Sequence, residues 1–117
     1  MADEARDRRV KLRGEVSGRD VRSLWAVITE SGDLRIEGQD LGPEVERFFG
    51  GGNTEYEWDV LVRAPNVAQA VVALGGAPGD DVLTLLSQRY SGREAFCIEE
   101  RLKASGVPTE FWSRIGD

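Results

Sequence analysis

The sequence predicts an α+β fold, an antiparallel sheet of about four strands packed on helices from the C-terminal half of a single domain. Three observations predict it. Segments of alternating apolar and polar residues fill the first half of the chain, the pattern of half-buried strands. Apolar residues at helical spacing, bounded by capping residues and glycines, fill the second half. With 40% hydrophobic residues, 117 residues suffice for one core, and folding should bury roughly 65% of the surface of the unfolded chain.

Taken in order, residues 1–8 mix charges with almost no apolar side chain and are expected to form a disordered tail, leaving residues 9–117 as the domain. Residues 10–16 alternate as a strand, with Lys11, Arg13 and Glu15 on its outer face and Gly14 as the place for a bulge. Residues 21–29 have helical spacing at Val21, Leu24, Trp25 and Ile28 but are rich in β-formers. The Gly32-Asp33 pair and the alternation of residues 34–37 decide for a strand and a hairpin with Gly first in a type II′ turn. Pro43 opens a helix of about two turns, with acids in its first turn, and the glycines at 50–52 close it. Residues 54–62 form the next strand.

Asn66 then caps a helix over 67–74 with Gln69 in a capping box, and Asp80 caps a helix whose inner stripe is Val82, Leu83, Leu85, Leu86 and Tyr90. Ser91 with Glu94 is a further capping box, opening a helix over 93–105 that Gly106 ends. The segment 107–115 is apolar, and leaving Phe111 and Trp112 in water would cost roughly 2–3 kcal/mol each. It is expected to dock as an edge strand. Trp25 and Trp58 are the strongest core choices among the nine aromatics.

Fifteen Lys and Arg against 21 Asp and Glu give a net charge of −6. That charge favours solubility and repels phosphate backbones, so no nucleic acid partner is expected. The chain has no histidine, which removes the commonest general base, the commonest neutral metal ligand and every histidine-containing triad. The single cysteine, Cys97, has no partner for an internal disulfide. Its neighbours Glu94, Glu99 and Glu100 disfavour a thiolate, so it reads as a structural thiol. The glycines at 50–52 lack the Lys-Ser/Thr of a phosphate loop, and Asp80-Asp81 reads as a capped helix start. No apolar run approaches the ~18 residues of a membrane span, so cytoplasmic residence is expected. No catalytic residue, metal site or cofactor is expected.

One pattern does resemble a site. Glu55, Glu57 and Asp59 point to one face of their strand at intervals of about 6.8 Å, with Tyr56, Trp58, Val60 and Val62 on the other. One strand cannot supply the full oxygen shell of a Ca²⁺ or Mg²⁺ ion. The acids are therefore either paired with Lys11, Arg13 or Arg35 across strands, or free to meet a basic partner.

Residues 33–43, the Tyr56-Glu57-Trp58 triplet and residues 106–113 together resemble a set of small proteins of high-GC actinobacteria, over about 80 residues. The most specific part is Ile36-Glu37-Gly38-Gln39-Asp40-Leu41-Gly42-Pro43. No activity is attached to that set, so the resemblance implies provenance and carries over no functional residue. The leading expectation is a non-enzymatic acidic domain that binds a protein partner through Glu55, Glu57 and Asp59 or the adjoining loops. By analogy of size and charge, it would be an immunity protein that neutralises a toxin. The alternatives are a small-ligand binder or carboxylate-based enzyme with a pocket between helices and sheet, using Tyr56 or Tyr90, and a structural protein that self-pairs through Phe111-Trp112.

Overall fold

Five strands follow one another in an antiparallel meander in the order β1 to β5, and the helices are inserted between them. The elements of the computed structural model, in which residues 7–116 are described, are β1 (Arg8–Ser17), β2 (Asp20–Ile28), β3 (Leu34–Leu41), α1 (Pro43–Phe49), β4 (Glu55–Val62), α2 (Ala64–Ala73), α3 (Val82–Arg89), a 3₁₀ helix (Gly92–Cys97), α4 (Ile98–Ala104) and β5 (Glu110–Gly116). The α+β fold is as expected, with the C-terminal segment adding a fifth strand. Most of the expected tail, residues 1–6, lies outside the described residues, and Arg8 already belongs to β1.

Helices cover one face of the sheet only. Leu24, Ala26, Leu34, Ile36, Val60 and Val62 are buried beneath them and meet Val71, Leu74, Leu86, Ile98 and Leu102 from the helices. Burying such side chains, at about 1.5–3 kcal/mol each, is the main drive for this packing. Tyr90 belongs to that core. Its hydroxyl donates to the Leu74 carbonyl at 2.8 Å, a buried structural bond that takes it out of consideration as a site residue.

The β2–β3 connection differs from the expected turn. The Thr29 N–H donates to the Asp33 carbonyl at 2.9 Å and the Gly32 N–H to the Thr29 carbonyl at 2.8 Å. The loop is therefore Glu30-Ser31-Gly32, with Gly32 at φ 91°, the left-handed position that ends many three-residue hairpins. The resulting register pairs Ala26 with Ile36 and Trp25 with Glu37. Trp25 is thus on the face without helices, half-buried under the guanidinium of Arg9, 4.8 Å from its ring centre. The expectation that Trp25 is core is corrected; Trp58 does pack, half-buried, against the core.

A bulge in β1 makes a second change of face. Lys11 opposes Trp25 and Arg13 opposes Leu24, with Leu12 as the extra residue. Lys11 therefore stays on the open face, while Arg13 and Glu15 turn to the helix side. The shared outer face expected for these three side chains does not exist, because one inserted residue inverts the alternation.

Helix starts depend on side chains from elsewhere in the chain. α2 begins at Ala64, two residues before the expected cap Asn66, with Pro65 in its first turn. The acceptor for the Ala64 N–H is the Asp33 carboxylate, at 2.8 Å, supplied by the β2–β3 hairpin. Asp81, one residue past the expected Asp80, caps α3 by accepting from the Thr84 N–H at 3.1 Å. Asp80 instead accepts from the Ala77 N–H at 2.8 Å. The helix expected over 93–105 is divided into the 3₁₀ helix and α4. Gly92 is at φ 66°, and the Ser91 hydroxyl bonds back to the Ser87 carbonyl at 2.5 Å in place of capping.

Arg8 donates two hydrogen bonds to Asp81, at 3.0 and 3.1 Å, and ties the start of β1 to α3. The Arg8 guanidinium, helped by Thr84, holds the Asp81 carboxyl down at about 2 from an ordinary 3.8. A carboxyl depressed in the folded state contributes stability above its unfolded value and loses it as the pH falls through the folded one. Asp81→Asn should therefore flatten the loss of stability between pH 3.8 and about 2. Because the pair is open to solvent, the effect should stay within about 1 kcal/mol. Urea midpoints of both proteins across that window check it, and parallel curves would remove Asp81 from the acid response.

β5 docks against β4 as an edge strand, yet Phe111 and Trp112 remain 57% and 50% exposed. The expectation that docking would bury them is corrected. Backbone pairing seats the strand, and no helix among the described residues extends over it.

Candidate functional site

The open face of the sheet carries the three acids singled out from the sequence. Asp59 accepts from Arg35 at 2.7 Å. Arg35 also lies 3.5 Å from Glu37, so it bridges two carboxylates that the β3–β4 register sets directly opposite each other. Glu55 and Glu57 both receive Gln39, at 2.9 and 3.3 Å. Both also receive Arg114, at 3.0 and 3.4 Å. Arg9 closes the lattice by pairing with Glu37 at 3.2 Å.

Of the three expected partners, Arg35 is the one that reaches an acid of β4. Arg13 has turned to the other face, and Arg114 fills its place. Each exposed pair is worth about 0–1 kcal/mol, so the lattice fixes orientation more than it stabilises. Its effect is to order the Glu37, Glu57 and Asp59 carboxylates and the Arg9 and Arg35 guanidiniums in a shallow hollow between two tryptophans, Trp25 on β2 and Trp112 on β5. Gln39 and Arg114 escape the sequence reading, which has Trp112 only as part of a docked or self-pairing segment. The β5 residues enter through a strand that follows four intervening helical segments, and no local turn signal announces that pairing.

A second concavity lies on the helix side, past the edge of the helical cover. Its floor is Arg22, Asp40 and Trp58, and Arg13 reaches it because of the bulge, with its side chain only 11% exposed. Ile98 and Glu99 of α4 form one wall around a volume of about 180 Å³. Burial pushes the Asp40 carboxyl up, against the opposing pull of Arg22 and Arg13. The cleft continues toward α1 along an aromatic run. Phe49 is 5.1 Å from Tyr56, and Tyr56 is 5.7 Å from Trp58, centre to centre.

Cys97 is half-buried at the junction of the 3₁₀ helix and α4 and packs against the core. Among the described residues no group of three or more Cys, Asp or Glu side chains could hold a metal ion. No helix among them is long and apolar enough to cross a membrane. No protein-family model matches the chain, and neither a curated protein nor a solved structure does.

Proposed function

We propose that the protein is a non-enzymatic binding domain that engages another protein through the open face of its sheet. The observation that carries this reading is the pair Trp25, half-buried, and Trp112, half-exposed, on either side of the Glu37, Glu57 and Asp59 carboxylates and their arginines. Tryptophan and arginine are the residue types that dominate binding energy at protein interfaces. Ordered carboxylates between them would give specificity and register. The net charge of −6 would steer a basic partner toward the molecule, as an immunity protein occluding a toxin requires.

The test is calorimetric titration with a partner recovered by affinity capture from the source cell extract. Trp25→Ala should weaken binding about tenfold or more. Glu100→Ala, exposed on α4 on the other side of the molecule, should leave it unchanged. Equal affinity in both variants would sink the assignment of this face.

The cleft favours a second reading, a small-ligand site. Its observation is the conjunction of Arg13, Arg22, Asp40 and Trp58 around a cleft volume of about 180 Å³. A small organic acid that raises the melting temperature of the wild-type protein but not of Arg22→Gln would support it. A screen of such acids with no shift would count against it.

A further inference from the structure

The two edges of the sheet are built differently. β1 presents Arg8, Arg9, Lys11 and Arg13 over its first six residues and is interrupted by a bulge; charge and irregularity of this kind block strand addition. β5 is regular over seven residues, carries Phe111, Trp112 and Ile115 exposed at 57%, 50% and 44%, and has no strand beyond it among the described residues. An unpaired edge with exposed apolar side chains is a template for another strand.

We propose that this strand is β5 of a second copy, so that two chains join antiparallel about a two-fold axis at Ser113 into one continuous sheet. The sequence of β5 is self-complementary about that residue. Pairing about Ser113 sets Phe111 opposite Ile115 of the second copy on the helix side. It sets Trp112 opposite Arg114 on the open face, and this occurs twice by symmetry. Apolar meets apolar, and a guanidinium meets an aromatic ring. The neighbouring register, centred on Trp112, leaves Phe111 opposite Ser113 and Ile115 opposite Thr109. Its Glu110–Arg114 pairs would gain little, because Glu110 already binds Arg63 at 2.7 Å and Arg114 already binds Glu55 and Glu57. The Ser113 register covers the exposed apolar residues and aligns all seven positions.

The axis makes the proposal testable by cross-linking under mild oxidation. In Ser113→Cys the two introduced thiols face each other across the axis, and a covalent dimer should form. In Glu110→Cys they lie about 20 Å apart, six residues along the strands, and no covalent dimer should form; wild type, whose one cysteine is Cys97, should remain uncross-linked. Sedimentation equilibrium supplies a second reading on variants that both lose the ring. Trp112→Arg places like charges opposite each other at both symmetric positions, whereas Trp112→Glu places opposite charges there. The Glu variant should dimerise on the order of tenfold more tightly than the Arg variant. A monomeric wild type, covalent dimers from both cysteine variants or from neither, or equal affinity of the two Trp112 variants would overturn the proposal. A monomer would leave the edge to a strand of a different protein.

Discussion

Gly38→Ala should destabilise the fold by about 2–3 kcal/mol, although in most strands replacing glycine with alanine stabilises by reducing the entropy of the unfolded chain. The sign reverses because of Trp58. Gly38 and Trp58 are cross-strand partners in the β3–β4 register, and the indole ring lies across the glycine. A Cβ added at Gly38 would sit 2.2 Å from Cη2 and Cζ2 of that ring and 2.3 Å from Cε2. The ring cannot move aside cheaply, with Tyr56 stacked 5.7 Å away and the core beyond it.

Urea unfolding of the single variant checks the size of the loss. A double-mutant cycle with Trp58→Leu checks its cause. The leucine should recover about 1–2 kcal/mol of the alanine penalty, since neighbours in contact are not additive. A Gly38→Ala protein as stable as the wild type would show that the ring is free to move, and the Trp58 floor of the cleft would lose its rigidity.

Gly42→Ala should cost about 3 kcal/mol or more, from two sources. Gly42 is at φ 123°, a conformation that costs a non-glycine residue about 1–3 kcal/mol. Its added Cβ would also lie 2.5 Å from the Arg19 carbonyl oxygen and 2.7 Å from the Asp20 carboxylate. That contact is with the β1–β2 turn, which packs at the start of α1. There the Asp20 carboxylate accepts from the Glu44 N–H at 2.9 Å, and the Gly42 N–H donates to the Thr54 carbonyl at 2.8 Å. One substitution therefore strains the backbone and pushes apart two connections.

Gly50→Ala is the control, because Gly50 has a positive φ of 71° and open space around it. With ψ at −171° like Gly42, it should lose only the conformational part, about 1–3 kcal/mol. Equal losses at Gly42 and Gly50 would mean that the β1–β2 turn yields without cost.

Much of the fold is legible in local sequence, and where the reading fails a contact distant in sequence is responsible. α1 runs from Pro43 to Phe49 as expected, because Pro43 and the glycines at 50–52 act on the backbone within a few residues. α2 starts early because its acceptor is Asp33, thirty-one positions away. α3 begins with Asp81 and not Asp80, a choice between adjacent carboxylates that capping preference does not rank.

The face of Trp25 turns on a single turn. A two-residue turn at Gly32-Asp33 would have paired Ser31 with Leu34 and carried Trp25 to the helix side, opposite Asp40. The three-residue loop shifts the pairing by an odd number, and a shift of that kind moves every side chain of β2 to the other face. With the loop as it stands, Trp25 faces Glu37 and becomes part of the candidate site. The acids were legible as a row, because alternation along one strand is local. Of their partners Arg35 was legible and pairs with Asp59, whereas Arg114 arrives on β5 after four intervening helical segments and Arg13 is diverted by a bulge.

By itself the sequence determined the class of fold, the strand and helix content, and the row of Glu55, Glu57 and Asp59, all of which follow from periodicity, capping and turn chemistry over a few residues. The tertiary structure alone decided which face each residue occupies, that the acids are held by Arg35, Gln39 and Arg114, and that Trp25, Phe111 and Trp112 remain near water. The physical reason is that register and sheet edge are properties of pairs of strands. A one-residue change in a turn or a bulge costs little locally and inverts which side chains meet.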